Sequence, residues 1–175
     1  MTIAVFIVGR SGSGKTTLSK MLEHLGVFRI SASAHLSRLY LAELGATPSR
    51  FQLADYGKTL LRQKRLESFH SALITEMARH EAACIDGLRF QISVDEISKH
   101  AMRTALVFLS CPTNLRRSRL THAIKDEDLR VLNSHETEIA VDAMSSRADI
   151  RIDTSQPADN AFAQLKSDLH QLQII

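Results

Sequence analysis

Residues 9–16 read Gly9-Arg10-Ser11-Gly12-Ser13-Gly14-Lys15-Thr16, and they follow directly on the apolar run Ile3–Val8. The pattern is a glycine, four residues and then Gly-Lys-Ser/Thr, and its place between a strand-like and a helix-like segment predicts a phosphate-binding loop. The glycines allow the backbone to curl with its N–H groups pointing inward, and the amino end of the next helix favours anions. The alternative is an ordinary Gly-Ser turn, and the position behind a buried strand argues against it.

Each part of this loop has a chemical role toward a bound nucleotide. We expect Lys15 to reach the β- and γ-phosphates, the Thr16 hydroxyl to ligate Mg²⁺, and the amides of residues 11–16 to cradle the β-phosphate. ATP and Mg²⁺ are therefore the predicted ligands, and ATP is preferred to GTP because the chain has no Asn-Lys-x-Asp element that would read guanine. The predicted nucleotide-binding residues are Gly9, Ser11, Gly12, Ser13, Gly14, Lys15, Thr16 and Thr17.

Length and composition predict a single domain over residues 1–175. Hydrophobic residues make up 44% of the chain and charged residues 23%, which is the balance of a globular protein. The net charge of +3 is modest, and with 5% aromatic residues and no tryptophan a nucleic-acid partner is not expected. The run Ile3–Val8 is too short for a targeting signal, and no run approaches the roughly 20 apolar residues of a membrane span. We expect a cytoplasmic protein without a membrane partner, whose oligomeric state is open.

Strand-like and helix-like segments alternate along the chain, which predicts an α/β fold with a parallel sheet covered by helices on both faces. The segment of about residues 31–80 is helical and is expected to bind the phosphoryl acceptor. The polar span of about residues 121–135 has no core face, so we expect a short mobile lid there. The five predicted strands are Ile3–Val8, Val27–Ile30, Ala82–Asp86, Thr104–Leu109 and a last one near Asp149–Ile152.

A second motif, Asp86-Gly87-Leu88-Arg89, comes directly after the third predicted strand. Parallel strands deliver their carboxyl ends to one crevice, so Asp86 and Arg89 are expected to face the same pocket as Lys15. There Asp86 is a candidate to hold a Mg²⁺-bound water or to take a proton, and Arg89 to bind a phosphate. A tight turn with a solvated arginine is the alternative.

The phosphate loop, the Asp86–Arg89 motif and the arginine-rich helix after the fourth strand together resemble the nucleoside monophosphate kinase and dephospho-coenzyme A kinase group of P-loop kinases, with adenylate-kinase-like proteins the nearest match. The resemblance implies a three-layer P-loop kinase fold and phosphoryl transfer from Mg-ATP. It matches Arg89 with the arginine of the family's Asp-Gly-Phe-Pro-Arg run, although this chain has one residue fewer. It matches Arg38 with an arginine after the second strand that grips the acceptor phosphate.

The predicted lid is where the resemblance weakens. Arginines in this region of the family close over the triphosphate, so the resemblance implies catalytic roles for Arg116 and Arg119, which share a helix face. Arg117 and Arg130 are nearby candidates, and a solvated charged helix is the alternative. Relatives tend to carry an Arg-Asp pair after the lid where this chain has Ser134-His135-Glu136, so either the lid chemistry differs or Arg147 replaces the pair.

The chemical class of the phosphoryl acceptor can be inferred from whether the site offers a general base. A monophosphate is already ionised, whereas a hydroxyl is helped by a carboxylate near the attacking oxygen. Dephospho-coenzyme A kinases place an aspartate after the second strand, but residues 31–35 carry no carboxylate, which favours a nucleoside monophosphate. A hydroxyl acceptor with Asp86 as base, and an ATP-binding switch or sensor that is not a kinase, remain open. Taken together, the predicted catalytic residues are Lys15, Asp86, Arg89, Arg116 and Arg119. The predicted acceptor ligands are Arg38 and Arg89, and the predicted metal ligands are Thr16 and Asp86.

Overall fold

The strands and helices follow the alternation of the sequence closely in the computed structural model, which describes residues 2–120, 131 and 133–175. Residues 121–130 and 132 of the predicted lid, Arg130 among them, lie outside the described residues. The strands are β1 (Ile3–Val8), β2 (Phe28–Ser31), β3 (Ala82–Asp86), β4 (Arg103–Ser110) and β5 (Ile150–Asp153). The helices are α1 (Lys15–Glu23), α2 (Ala32–Leu44), α3 (Arg50–Arg62), α4 (Glu67–Met77), α5 (Gln91–Ser98), α6 (Thr113–Leu120), α7 (Glu136–Ala143) and α8 (Ala158–Gln171).

The described strands form one parallel sheet in the order β2-β3-β1-β4-β5. β1 lies at its centre, and five of its six residues are buried because strands on both sides and helices on both faces cover it. Register places Asp86 beside Ile7 of β1 on one side and Ser31 of β2 on the other. The phosphate loop after β1 and the Asp86–Arg89 motif after β3 therefore meet at one edge of the sheet, as predicted.

Two apolar layers hold the helices onto the sheet. Successive side chains of β1 point to opposite faces, so Phe6 belongs to one layer and Val5 and Ile7 to the other. The Phe6 layer packs against α4 and α5 through residues such as Leu73, Met77 and Ile97. The opposite layer packs against α1 and α8 through residues such as Leu18, Leu22 and Leu165. The predicted α/β architecture, with helices on both faces of a parallel sheet, is confirmed.

The helical segment between β2 and β3 has clear start signals in its sequence. The side chain of Ser31 accepts a hydrogen bond from the amide of Ala34 at the start of α2, and Ser49 and Gln52 form a reciprocal capping box at the start of α3. No helix within the described ranges is long and apolar enough to cross a bilayer.

Candidate active site

A cavity of about 630 Å³ opens at the carboxyl edge of the sheet. The phosphate loop and the Asp86–Arg89 motif form one side of it, and α2, α3 and α4 form the other. The residues that line the phosphate side are Ser11, Gly12, Gly14, Lys15, Thr16, Thr17, Asp86, Gly87, Arg89, Arg119 and Glu138.

The glycines of the loop allow a backbone path that a side chain would block. Gly12 has a φ of +79°, in the left-handed region, and a Cβ added to it would lie 2.9 Å from the carbonyl oxygen of Arg116. A Cβ added to Gly9 would lie 2.7 Å from the carbonyl oxygen of Leu109. The tight curl of the loop against β4 and α6 therefore depends on glycine at both positions.

The amides at the start of α1 are open to a ligand. Gly14 is the N-cap of α1 and makes no side-chain cap, in contrast to the capped starts of α2 and α3. Among the described residues, we find no hydrogen-bond acceptor for the amides of Gly12, Gly14, Lys15 and Thr16. Uncapped amides at a helix amino end bind phosphate oxygens, so the loop fits the triphosphate that the motif predicts.

Lys15 folds back over this loop. Its Nζ donates to the carbonyl oxygens of Gly9 at 2.7 Å and Arg10 at 2.9 Å. Burial, together with the positive charge of Arg89, lowers the pKa of Lys15 to about 7. The ammonium form is thus costly in the free protein and becomes favourable when an anion binds beside it.

We expect nucleotide binding to be coupled to proton uptake by Lys15. With a pKa of about 7 in the free protein, Lys15 is about 90% neutral at pH 8, and bound phosphates restore its charge, so uptake approaches one proton per nucleotide. Calorimetric titrations in two buffers of different ionisation enthalpy measure this number, and the Lys15→Met variant is the control that takes up none. A wild-type value of zero at pH 8 contradicts the prediction.

Asp86 is paired with an arginine that the sequence analysis did not single out. The residue is 4% exposed, and its Oδ2 accepts hydrogen bonds from Arg29 Nε and Ser19 Oγ, each at 2.7 Å. Arg29 lies on β2, and its signal in the sequence is an arginine within a short predicted strand of otherwise apolar residues. The carboxylate borders the cavity but is held firmly by the scaffold.

The predicted metal ligands fit a cation that arrives with the nucleotide. Thr16 is exposed at the start of α1, and both Thr16 and Asp86 line the cavity. The described residues contain no group of three or more histidine, cysteine, aspartate or glutamate side chains that could hold a metal by themselves. Mg²⁺ commonly keeps its waters and binds one or two protein oxygens plus substrate phosphates, and Thr16 with Asp86 suits that arrangement.

Arg89 contacts a buried carboxylate that was not predicted. Its Nη1 lies 2.6 Å from Oε1 of Glu138, and its Nη2 donates to Ser11 Oγ at 3.2 Å. Glu138 also accepts the Ser11 amide at 2.8 Å and the Ser11 hydroxyl at 2.8 Å. Burial favours the neutral acid, but the charge of Arg89, the two bonds from Ser11 and the charge of Lys15 outweigh it and hold the pKa of Glu138 below its usual range.

The predicted arginines occupy different places. Arg119 lines the cavity and donates to the carbonyl oxygens of Gly12 at 3.3 Å and Thr154 at 2.7 Å. Arg116 is 3% exposed and donates to the carbonyl oxygen of Ser11 at 3.3 Å and to Asn133 Oδ1 at 2.9 Å, but it does not line the cavity. Both arginines thus brace the phosphate loop from α6.

The arginines expected on the acceptor side and after the lid, Arg38 and Arg147, do not line the cavity. Arg38 is exposed on α2 and does not line the cavity, whereas Arg50, at the start of α3, does. Arg147 pairs with Asp95 at 3.0 Å and also lies outside the cavity lining. The role of Arg38 as an acceptor ligand therefore stays a prediction, with Arg50 a second candidate.

The far end of the cavity is predominantly apolar. Gly57 of α3 widens it, because a Cβ there would lie 3.3 Å from Leu36 Cδ2 and 4.0 Å from a ring carbon of Phe90. The hydroxyl of Ser93 lies 2.9 Å from Nε2 of the buried His70. The apolar lining residues at this end are Ala32, Leu36, Leu53, Ala54, Leu66, Phe69, Leu88 and Phe90, and the polar ones are Ser33, Arg50 and Ser93, whereas Leu120 lies beside Gly12 at the phosphate end.

Comparison with known proteins supports this description. No protein-family model matches the sequence. The dephospho-CoA kinase of Treponema pallidum (strain Nichols) is 27% identical over 125 residues, which cover 67% of this chain, and this chain spans only 59% of that relative. A gluconokinase from Sinorhizobium meliloti 1021 has a TM-score of 0.66 at 17% identity over 98% of this chain and 95% of that one. The shikimate kinase of Aquifex aeolicus has a TM-score of 0.57 at 16% identity, over 98% of each chain.

These likenesses establish the fold. The chain has the fold of the P-loop kinases, and the predicted resemblance to that group is confirmed. The relative and the structural neighbours are kinases by name, which supports the prediction of a P-loop kinase enzyme.

Proposed function

We propose that this chain, with its P-loop kinase fold, transfers the γ-phosphoryl group of Mg-ATP to a small nucleotide-type acceptor, a nucleoside monophosphate. The observation that carries the proposal is the continuity of one cavity from the open amides of the phosphate loop to the apolar wall of α2, α3 and α4. Donor and acceptor sites in a single cavity allow in-line transfer without an intermediate carrier.

The apolar wall supports a nucleotide-type acceptor over a polyhydroxylated one. A sugar or a hydroxy acid presents hydroxyls on every side, and burying them against Leu53, Phe69 and Phe90 leaves them without partners, at a cost of about 1–3 kcal/mol each. A nucleobase instead has two apolar faces and a polar edge, which suits leucine and phenylalanine walls with Ser33 and Ser93 between them. We infer that residues 31–80 supply most of the acceptor subsite.

The phosphate side supplies charge for the transfer. Lys15 neutralises the donor phosphates, and Arg89 holds the acceptor phosphate in line with them; both act on charge that spreads over the equatorial oxygens in the transition state. Thr16 and Asp86 would hold Mg²⁺, which when bound offsets charge on the β- and γ-phosphates. Arg119 lines the cavity beside Gly12 of the loop, which supports a role in binding the donor phosphates.

A hydroxyl acceptor is the second candidate function. The sequence similarity to a dephospho-CoA kinase supports it, and Asp86 borders the cavity where a base would be needed. The ion pair with Arg29 argues against Asp86 as a base, because its Oδ2 already accepts hydrogen bonds from Arg29 and Ser19 and is not free to approach an acceptor hydroxyl. The monophosphate acceptor needs no base and is therefore preferred.

An ADP-release assay with Mg-ATP and a panel of acceptors tests this proposal. We expect turnover with one or more ribo- or deoxynucleoside monophosphates, and rates at least 100-fold lower with nucleosides, gluconate, shikimate and dephospho-coenzyme A. Turnover with dephospho-coenzyme A alone favours the second candidate. No turnover across the panel, combined with nucleotide binding, rejects the kinase and favours a nucleotide-dependent switch or sensor.

A further inference from the structure

Glu138, Ser11 and Arg89 form a closed set of contacts beside the phosphate loop. Oε2 of Glu138 accepts the Ser11 amide and Oε1 accepts the Ser11 hydroxyl, both at 2.8 Å. Oε1 also lies 2.6 Å from Nη1 of Arg89, whose Nη2 returns to the Ser11 hydroxyl at 3.2 Å. Each member of the set thus touches the other two.

The position of this set matters because two of its members are expected phosphate ligands. Ser11 belongs to the phosphate loop, and Arg89 is the arginine assigned to the acceptor phosphate. Only two acids are among the described residues that line the cavity, Asp86 and Glu138. Asp86 is engaged by Arg29, so Glu138 is the carboxylate that acts on Arg89.

Helix α7 holds Glu138 rigidly in this place. Val141, one turn further on, is fully buried in the layer that packs under the cavity. Asp142 binds Arg10 of the phosphate loop through both carboxylate oxygens, with Nε at 3.0 Å from each. Glu136, at the start of α7, also pairs with Lys58 of α3 at 2.8 Å, but this pair is exposed and adds little to the anchoring. The buried Val141 and the Asp142–Arg10 pair anchor the helix, so Glu138 stays beside the loop.

The contacts also argue against two other roles for Glu138. At 1% exposure and with three donors within 2.8 Å, its carboxylate has no free direction from which to take a proton from an acceptor hydroxyl. The second role is that of an anion that occupies the phosphate site in the free protein. To act in this way, the Glu138 carboxylate would have to leave Arg89 when a phosphate binds, and the anchored helix opposes that movement. Nη1 of Arg89 is buried against this carboxylate, so the ion pair with Glu138 fixes the orientation of the guanidinium.

We propose that Glu138 is a positioning residue that fixes the guanidinium of Arg89 against the phosphate loop. It also accepts the hydrogen bond of the Ser11 amide, so the loop amides that remain available to a phosphate begin at Gly12. The inference rests on the proposed function, because it assigns the way in which that site presents Arg89 to the acceptor phosphate. It adds that the loop is completed by a residue 127 positions further along the chain.

The Glu138→Gln variant tests this role, with Glu136→Gln as the matched control. Both substitutions remove one negative charge from α7, but Glu136 is exposed and touches Lys58 and Arg62 rather than the loop. We expect Glu138→Gln to raise the KM of the acceptor about 10-fold and lower kcat about 10-fold, with the Kd of ATP within about threefold of wild type. Glu136→Gln is expected to leave all three within about twofold.

A double-mutant cycle with Arg89→Lys shows whether Glu138 acts through Arg89. If it does, adding Glu138→Gln to Arg89→Lys costs less than about twofold further in kcat/KM, because the positioned guanidinium is already gone. Independent, multiplicative losses in the double variant overturn the proposal. Tighter ATP binding and faster turnover in Glu138→Gln also overturn the proposal. That result would identify the Glu138 carboxylate as an anion that competes with the nucleotide phosphates.

A structural readout separates this inference from the proposed function. In ¹⁵N-labelled wild-type protein, hindered rotation of the Arg89 guanidinium gives resolved Nη signals, assigned by their absence in Arg89→Lys. We expect Glu138→Gln to average these signals and Glu136→Gln to retain them. Averaged signals in the wild type reject the positioning role. The protein could also show resolved signals that depend on Glu138 but no turnover on the acceptor panel. That result supports the positioning role of Glu138 and rejects only the phosphotransferase function.

Discussion

Replacing Lys15 by alanine is expected to lower kcat/KM for phosphoryl transfer by about 1,000-fold or more, equivalent to about 4 kcal/mol of transition-state stabilisation. In the proposed reaction the ammonium group is the cation that the loop brings to the β- and γ-phosphates, where charge builds during transfer. In the free protein that group is desolvated and donates only to the carbonyl oxygens of Gly9 and Arg10. Its loss therefore removes catalytic charge without breaking the core.

Two measurements, turnover and thermal unfolding, check this result. Turnover of Lys15→Ala is compared with that of Lys20→Ala, which removes an exposed lysine from the same helix and is expected to retain wild-type activity. Thermal unfolding is expected to show no loss of stability in Lys15→Ala, because burial already disfavours the charged lysine. Near wild-type transfer by Lys15→Ala, at normal stability, rejects the assignment of the phosphate site.

Replacing Asp86 by asparagine is expected to destabilise the protein by about 3 kcal/mol, because removing one partner of a buried ion pair leaves the other charge uncompensated. Arg29 and Ser19 both direct donors at the same oxygen of Asp86, at 2.7 Å each. The residue is 4% exposed and its carboxylate links β3 to β2 and to α1, so water cannot replace it easily. A loss of this size is a large part of the 5–15 kcal/mol that stabilises typical domains.

Denaturant titrations of Asp86→Asn, Arg29→Gln and the double variant measure the pair. We expect each single variant to lose stability and the double variant to lose less than the sum, since its remaining groups are neutral. Activity assays are run well below the unfolding midpoint of each variant. A stability change below about 1 kcal/mol in Asp86→Asn shows that the ion pair does not hold the strands together, and any loss of transfer is then assigned to the metal site or the base.

The sequence is a good guide to those parts of the molecule whose signals are local. The predicted bounds of β1 and β3 match the observed ones, because each strand is an apolar run that ends at a turn-forming glycine motif. The predicted helical segment of about residues 31–80 is helical in the structure and consists of α2, α3 and α4. Helix α1 ends at Glu23, and an ordered turn through His24 and Leu25 leads to Gly26, whose left-handed conformation prevents the helix from continuing.

The sequence does not reveal which side chains a charged residue contacts when its partner lies far away in the chain. Arg29 reaches Asp86 across 57 positions, and Glu138 reaches Ser11 across 127. Helical periodicity places Glu138 on the same face as the core residue Val141, but it does not say which loop that face covers. Likewise the spacing of Arg116 and Arg119 predicts a shared face, but not that Arg116 is buried against Asn133 while Arg119 borders the cavity.

The dependence of the phosphate loop on α7 bears on how the protein matures during synthesis. The loop is synthesised before all of these partners: the central strand before it pairs with segments near residues 82 and 103, and Ser11 finds its carboxylate only at residue 138. Contacts of such long sequence separation form late, because the chain entropy of closing them is lost before they stabilise anything. A nascent chain released before residue 82 would carry the whole nucleotide motif without the two strands that hold β1 in the sheet.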